Sequence, residues 1–135
     1  MINNKSVLAI TLARGGSRGI TKKNIAPINN KPLLSYTIDE VIKSEYIDRY
    51  IVSTDDDEIE QVCSSNGVEC YRRVNASNSQ TSADGLIEVL DNVSKYDYVI
   101  EVMCTNPLKT VEDIDGAIYK INNTQADSVV SVVRI

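Results

Sequence analysis

Residues 7–24 read VLAITLARGGSRGITKKN, a stretch that predicts the first strand of the fold and a binding loop directly after it. Val7–Leu12 is a short, continuous apolar run, as in a strand that is covered on both faces of a sheet. Residues 13–24 hold three glycines, two arginines, two lysines and one serine, with no acidic residue. Glycines let a backbone approach a phosphate closely, and the cations neutralise its charge. The stretch therefore predicts a loop that binds a polyanion, for which a nucleoside triphosphate is the natural candidate.

The charge distribution sets this loop apart from the rest of the chain. Residues 1–31 carry six Lys or Arg and no acid, whereas the other 104 residues carry eight Lys or Arg against nineteen Asp or Glu. The formal net charge of −5 argues against a general nucleic-acid binder, because phosphate contacts need a broad basic face. No apolar run approaches the ~20 residues of a membrane span. We therefore expect neither a nucleic-acid nor a membrane partner.

The cysteine and histidine content limits the kinds of metal site and catalytic residue that the chain can contain. The 135 residues are enough for one domain with a substantial core. Cys63, Cys70 and Cys104 have no CxxC spacing, so we expect reduced thiols in a cytoplasmic protein. Histidine is absent, which excludes histidine metal sites and Ser-His-Asp triads. With no histidine to activate it, Cys104 is not expected to be a nucleophile, and the other two cysteines are expected in the core.

Apolar runs and helical periodicities alternate along the chain. Strands are predicted at 7–12, 50–53, 68–71, 96–102 and 128–133, and helices at 33–45, 55–65, 82–93 and 111–121, the second capped by Thr54. This alternation predicts an α/β fold, a Rossmann-like parallel sheet with helices on both faces. Ligands of such sheets bind beyond the carboxyl ends of the strands, so the loops after residues 12, 53, 71 and 102 should line one edge. Because the last strand would lie uncovered, we expect the chain to be the first part of a longer protein.

The loop matches neither of the two common phosphate-binding motifs. It contains no GxxxxGK[ST], and no GxGxxG followed by an acid about 20 residues further on. A solvated basic turn, in which glycines only permit the bend, stays open as an alternative. The acidic residues 55–58 are more typical of a helix N-terminus than of a magnesium site, because successive residues at a helix start do not converge on one point.

Six stretches carry a resemblance to a known family. In order they read LARGGSRGITKKNI, KPLLSYTIDEVIKS, IVSTDDDEI, YDYVIEV, TNPLKTVEDID and ADSVVSV. Together they resemble the acylneuraminate cytidylyltransferase (CMP-N-acetylneuraminic acid synthetase) family, of which the chain matches the N-terminal portion. The resemblance implies a fold of the nucleotide-diphospho-sugar transferase type, truncated at the C-terminus, with residues 1–135 as a single, incomplete nucleotidyltransferase domain. It also implies that a cytidylyl group passes from CTP to a sialic-acid-like nonulosonic acid, with Mg²⁺, giving the CMP-sugar and pyrophosphate.

Roles for particular residues follow from the same resemblance. It implies catalytic roles for Lys23 and Arg14. The nucleotide-binding positions that it implies are Ala13, Arg14, Gly15, Gly16, Ser17, Arg18, Lys23, Asn24, Arg73 (or its neighbour Arg72), Thr81 and Asp84. The substrate-binding positions that it implies are Met103, Thr105 and Asn106. Family members are homodimers, but most of the dimer arm and the magnesium ligands are expected outside this chain, so the chain alone is expected to bind CTP weakly and to turn over little.

Four positions depart from the family pattern. Arg18 stands for a lysine, Gln80 for an aspartate, Asp84 for a serine, and Met103 for a glutamine that contacts the sugar. Met103 favours a related sugar such as legionaminate or pseudaminate. Two alternatives stay open: a nucleotidyltransferase for another sugar acid of the eight-carbon Kdo type, and a non-catalytic nucleotide-binding or assembly domain.

Overall fold

A four-stranded parallel sheet forms the centre of the molecule. The structure, a computed structural model, describes residues 1–16, 20, 22–74 and 80–134. The strands of the sheet are β1 (Val7–Leu12), β4 (Arg49–Thr54), β5 (Glu69–Arg72) and β6 (Tyr98–Glu101), and β2 (Pro27–Ile28) pairs with β3 (Lys31–Pro32) in a separate hairpin. The helices are α1 (Leu33–Val41), α2 (Asp57–Ser65), α3 (Ser82–Leu90) and α4 (Val111–Thr124). The order across the sheet is β5-β4-β1-β6, and all neighbours are parallel.

β1 lies inside the sheet and sends its side chains alternately into two apolar layers. Val7 and Ala9 belong to a cluster with side chains of α1 and α4. Leu8 and Ile10 belong to a second cluster, with Val89 of α3. Because successive side chains of a strand point to opposite faces, a continuous apolar run requires cover on both sides. Helices provide that cover on both faces, which confirms the predicted α/β fold.

α1 and α2 contribute side chains to one apolar cluster, together with Val52 of β4 and Ala13 of the loop after β1. Leu34 and Ile38 of α1 share an apolar cluster with Ile59 and Cys63 of α2. Burying a Leu or Ile side chain contributes about 1.5–3 kcal/mol to the free energy of unfolding. Cys63 is buried as predicted, and Cys70 is half-buried beside it. This packing fixes the start of α2 against the loop that follows β1.

Thr54 was predicted to cap α2, and that prediction is wrong. Thr54 is the buried last residue of β4, and its hydroxyl accepts a hydrogen bond from the Asp56 N–H at 3.1 Å. The cap is Asp56, whose Oδ1 accepts from the backbone N–H of Glu58 at 2.9 Å and of Ile59 at 3.1 Å. β4 continues to Thr54 because its parallel pairing with β5 extends to that residue.

The strand predicted at residues 128–133 is also absent from the part of the chain that the structure describes. No strand is present over those residues, and Val130, Val132 and Val133 are 76%, 86% and 86% exposed. A strand needs the backbone hydrogen bonds of a neighbouring strand, and the described chain offers none to this segment. β-branched residues therefore favoured a strand for which no partner is described.

Two tight turns were not predicted. Ile28 and Lys31 flank the β2–β3 turn, in which Asn29 and Asn30 have φ of 50° and 62°. The same four residue types, Ile-Asn-Asn-Lys, form an isolated bridge at residues 2–5. Asparagine tolerates positive φ, so paired asparagines between extended residues are a turn signal that the sequence did contain.

Among the residues described, no helix combines the length and the apolar character that crossing a membrane requires.

Candidate functional site

A cleft of about 300 Å³ opens where β1, β5 and β6 end. The described residues that line it are Leu12, Arg14, Gly16, Lys23, Asn24, Arg73, Gln80, Thr81, Ser82 and Thr105. They include three cations and no carboxylate. The loops after β1, β5 and β6 thus meet at one edge, as predicted, and the loop after β4 lies against the first of them.

Gly15, in the described part of the glycine loop (residues 13–24), packs against the acidic start of α2. The Gly15 N–H donates to Oδ1 of Asp55 at 2.9 Å. A Cβ at position 15 would lie 2.5 Å from Oδ2 of Asp56 and 2.6 Å from its Cβ, so the close approach requires glycine. Asp56 is at the same time the cap of α2. The first two acids of residues 55–58 therefore hold the loop and begin the helix.

Asn24 links two of the loops that form the cleft. Its Nδ2 donates to the backbone carbonyl of Arg14 at 2.9 Å. Its Oδ1 accepts from the Sγ of Cys104 at 3.0 Å, and both residues are buried. Burial raises the pKa of the Cys104 thiol, which works against a reactive thiolate there. Both ends of the Asn24 amide thus serve to join the glycine loop to the turn after β6.

The two adjacent lysines of the glycine loop point to different surroundings. The Nζ of Lys22 lies 2.7 Å from Oε1 of Glu58 and 3.9 Å from Oδ2 of Asp56. The hydrogen bond to Glu58 is the main cause that raises the pKa of Lys22. Lys22 has φ of 49°, the left-handed conformation, and Lys23 then begins a short 3-10 turn, Lys23–Ile25. That reversal directs Lys23 to the cleft, which it lines.

The two adjacent arginines at the end of β5 also lie in different surroundings. Arg72 is exposed and pairs with Asp57 at 2.9 Å and with Glu60 at 3.1 Å. Arg73 is only 7% exposed and lines the cleft, where its Nη2 donates to Oε1 of Gln80. Because side chains alternate at the end of a strand, neighbouring residues reach opposite sides. The structure thus places Arg73, and not Arg72, at the cleft.

Thr81 and Asp84 form the capping box of α3. The Thr81 hydroxyl accepts from the Asp84 N–H at 3.1 Å, and Asp84 Oδ2 accepts from the Thr81 N–H at 2.9 Å. The Thr81 hydroxyl also donates to Oδ2 of Asp84 at 2.8 Å, and the two hydrogen bonds that this carboxylate accepts, from the Thr81 N–H and hydroxyl, lower the pKa of Asp84. Thr81 lines the cleft, whereas Asp84 does not. Asp84 therefore orders the start of α3 and the cleft residues attached to it.

The turn after β6 presents one of its three predicted substrate residues to the cleft. Thr105 lines it, while Met103 is 58% exposed and Asn106 is also on the surface. Lys109 holds the turn together, since its Nζ donates to the carbonyls of Met103 at 2.5 Å and Asn106 at 2.6 Å. It also donates to Oγ1 of Thr37 in α1 at 2.7 Å, and burial lowers the pKa of Lys109.

The structure brings together part of the predicted site. Arg14, Gly16, Lys23, Asn24, Arg73, Thr81 and Thr105 line one cleft. Five other predicted residues do not line the cleft: Ala13, which is buried in the core, and Gly15, Asp84, Met103 and Asn106. Ser17 and Arg18 lie outside the described residues. Leu12 and Gln80 were not predicted as site residues, although their places next to Ala13 and Thr81 were a usable signal. Ser82, which also lines the cleft, lies within the segment from Thr81 to Asp84 that the resemblance implied.

The acidic residues near the cleft do not fit a magnesium centre. Within the described ranges, no group of three or more His, Cys, Asp or Glu is arranged to hold a metal. Asp55 and Asp56 already accept N–H hydrogen bonds, and Asp57 pairs with Arg72.

A glycine loop and three cations at the carboxyl edge of a parallel sheet are features of α/β proteins whose ligands are phosphorylated. The sequence profile of the family described as Cytidylyltransferase matches residues 8–135, and the chain belongs to that family.

Relatives and solved structures agree with this family. The chain is 32% identical over 132 residues to the N-acylneuraminate cytidylyltransferase of Oncorhynchus mykiss, covering 96% of this chain and 31% of that protein. It is 33% identical over 126 residues to the pseudaminic acid cytidylyltransferase of Campylobacter jejuni, covering 88% and 54%. In fold it is similar to a CMP-2-keto-3-deoxy-manno-octonic acid synthetase solved with CTP, with a TM-score of 0.81, 20% identity, and coverage of 90% and 49%. The chain thus spans between about a third and just over half of these proteins.

Proposed function

We propose that this chain carries the nucleotide-binding part of an enzyme that transfers a cytidylyl group from CTP to a nonulosonic acid and releases pyrophosphate. The observation that carries the proposal is the cleft itself, in which Arg14, Lys23 and Arg73 converge beside the glycine loop with no acid among the described lining residues. Such a cleft favours a ligand with several negative charges. The relatives named for sialic and pseudaminic acid transfer support CTP and a nine-carbon sugar acid as the substrates.

The chemistry that we propose is an in-line displacement at phosphorus. The anomeric hydroxyl of the sugar forms a bond to the α-phosphorus of CTP, the bond to the β-phosphate oxygen breaks, and the hydroxyl proton leaves to water. Such reactions depend on positioning and on neutralising the charge of the phosphates. Lys23 and Arg14 would supply that charge as the catalytic pair, and Arg73, Thr81 and the backbone N–H of Gly16 would hold the nucleotide.

On the sugar side, Thr105 is the described residue of the turn after β6 that reaches the cleft. Met103 and Asn106 would meet the sugar only at the outer part of the cleft, since neither lines it. Magnesium, a cytoplasmic location and a homodimeric assembly belong to the same proposal, with the metal ligands supplied from outside the described residues.

Nucleotide binding is the direct test. We expect CTP at ten times its Kd to raise the melting temperature by about 3–8 °C. ATP, GTP and UTP at the same concentration, with and without magnesium, should raise it less. Equal shifts with all four nucleotides would show that the cleft is not selective for cytidine, and no shift with any of them would favour an assembly domain.

Lys23→Ala is the variant that addresses the proposed role of the loop. We expect a loss of CTP affinity of about 10–100-fold, because a charge-assisted hydrogen bond to phosphate contributes about 1.5–3 kcal/mol. Lys22→Ala is the matched control, since it removes the same charge one residue away but from an ion pair with Glu58. Isothermal titration of both variants measures the difference. Equal losses in the two variants would contradict the role given to Lys23.

A further inference from the structure

Lys109 is a half-buried cation whose described hydrogen-bond partners are all neutral oxygens. Its Nζ donates to the backbone carbonyls of Met103 at 2.5 Å and Asn106 at 2.6 Å, and to Oγ1 of Thr37 at 2.7 Å. The ion pairs of the described residues do not include Lys109. An ammonium has three N–H donors, and these three acceptors use all of them. Any effect of Lys109 on a ligand must therefore act through the residues that it holds.

The contacts of Lys109 close the turn that carries Thr105. The carbonyls of Met103 and Asn106 both accept from the same ammonium, so the two residues between them are held in a tight turn. One of the two is Cys104, which is buried and hydrogen-bonded to the glycine loop. The other is Thr105, which lines the cleft. Thr105 is thus fixed from two sides, by the glycine loop and by Lys109.

α1 gives this turn its support. Thr37 lies in α1 and is buried, and α1 contributes other buried side chains to the core. A second contact joins the same parts of the molecule, because the N–H of Val111, at the start of α4, donates to Oε1 of Glu40 in α1 at 3.1 Å. Lys109 therefore connects the turn after β6 to a helix that is itself held in the core.

Thr105 stands at one end of the cleft. In the sheet, β1 lies between β5 and β6, so the glycine loop lies between the loop after β5 and the turn that carries Thr105. A ligand whose phosphates contact Arg14 and Lys23 would reach Thr105 with one of its other two parts, which the proposed function identifies as the sugar.

We propose that Lys109 is a positioning residue, which fixes the place of Thr105 in the cleft and thereby sets the affinity of the cleft for the sugar part of its ligand. The inference rests on the proposed function for the identity of that ligand. The effect of Lys109 on the turn does not depend on it, since each contact that holds the turn lies within the protein.

NMR spectroscopy tests the positioning without a ligand. The ammonium protons of Lys109 should exchange with water more slowly than those of Lys120, an exposed lysine of α4, because three acceptors hold them. Lys109→Met should also shift the methyl signal of Thr105, whereas Lys120→Met, the matched control, should not. Equal exchange rates in the wild type, or an unmoved Thr105 signal in Lys109→Met, would overturn the inference whatever the chain binds.

Two nucleotides test the consequence for binding. CMP-N-acetylneuraminic acid carries a sugar and CMP does not, so the ratio of their Kd values, from isothermal titration of the full chain, reports contacts with the sugar. We expect the wild type to prefer the former, and Lys109→Met to reduce that preference by about 3–10-fold, because a misplaced Thr105 loses about one hydrogen bond. Lys120→Met should leave the ratio within about 2-fold, as a change of an exposed charge does.

A double-mutant cycle decides whether Lys109 acts through Thr105. Once Thr105→Val is present, Lys109→Met should have almost no further effect on the ratio. Additive losses would overturn the inference, as would an unchanged ratio in Lys109→Met or equal affinity of the wild type for the two nucleotides. If neither nucleotide binds while the Thr105 signal still shifts in Lys109→Met, the proposed function is contradicted and the positioning of Thr105 by Lys109 stands.

Discussion

Two neighbouring regions at the carboxyl edge of the sheet contain the same types of cationic residue but surround them differently. One is the cleft, and the other is the acidic α2 surface, formed by Asp56, Asp57, Glu58 and Glu60. Lys22 and Arg72 each contact the acidic α2 surface, whereas the residues that follow them, Lys23 and Arg73, line the cleft.

The comparison shows that the surroundings of a cation depend on the residues that the fold brings next to it, and not on its position in the sequence. On the α2 surface each cation has carboxylates within hydrogen-bonding distance, so its charge is compensated by the protein and screened by solvent. In the cleft, no carboxylate is present among the described lining residues, so the lining contributes only positive charge to the electrostatic potential there. Adjacent residues thus divide into those that stabilise the surface and those that we propose bind the substrate.

The largest effect is expected from substituting the two arginines separately. Arg73→Met should reduce CTP affinity by about 10–100-fold, because the cleft loses a charge-assisted donor. Arg72→Met should change that affinity by less than about 2-fold, since its charge is already paired on a solvent-exposed surface. Titration calorimetry, with circular dichroism to check the fold of each variant, decides the matter. Similar losses for both arginines would remove the distinction between the two regions.

The cleft and the acidic α2 surface meet at Gly15. The next largest effect is expected from a substitution at this residue, and it is an effect on stability. Gly15→Ala should lower the free energy of unfolding by about 1–3 kcal/mol, because the new Cβ must displace Asp56 from its capping position. Gly16→Ala is the control, since a Cβ at that position meets nothing within 4 Å. Urea denaturation measures both. A neutral Gly15→Ala would mean that the glycine loop is not fixed against α2 as described.

A smaller effect is expected at the start of α3, on the cleft side. Thr81→Ala should lower the free energy of unfolding by about 1 kcal/mol, because it removes the hydroxyl of the capping box. Ser82→Ala, one residue further on, removes a hydroxyl that does not cap the helix and should stay within about 0.5 kcal/mol. Chemical denaturation of the two variants makes the comparison. If Ser82→Ala proved the more damaging, the capping assignment would have to be abandoned.

The smallest effect concerns acid stability. Hydrogen bonds from Thr81 lower the pKa of Asp84 in the folded protein, so its stabilisation is present above the pKa of the unfolded chain. That stabilisation is lost as the pH falls through the lower, folded pKa. We expect Asp84→Asn to flatten the fall in melting temperature on acidification, measured between about pH 6 and pH 2. An unchanged slope would show that the protonation of this acid does not affect the stability of the fold.

Much of the fold was predictable because the signals are local. The apolar run of β1 and the helical periodicities of α1 to α4 depend on residues close together in the chain, and the structure confirms those elements. Thr54 failed as a predicted cap because Asp56 is an equally suitable residue, and strand pairing with β5 decided between them. The strand predicted at 128–133 failed for a related reason, since β-branched residues favour a strand without providing its partner.

The candidate site was predictable only in outline. The charge and glycine content of residues 13–24 identified a loop suited to anions, and the alternation of strands and helices identified the edge of the sheet where it lies. Gln80 was seen only as a departure from the family pattern, because its contact with Arg73 joins side chains that are 7 positions apart in the sequence. The contacts of Asn24 with both Arg14 and Cys104 likewise join segments far apart in the sequence.

By itself, the sequence determined the order and type of the main elements, the concentration of positive charge near the first strand, and the residue types available for an anion. The family resemblance singled out Lys23 and left Arg73 and Arg72 as alternatives. Only the tertiary structure showed that Lys23 and Arg73 line the cleft, while Lys22 and Arg72 pair with acids of α2. The physical reason is that the two residues of each pair have the same type of side chain and are adjacent in the sequence, so local sequence does not distinguish their surroundings. Their partners, the acids of α2 and the amide of Gln80, are brought near by the packing of separate strands and helices, which no local pattern contains.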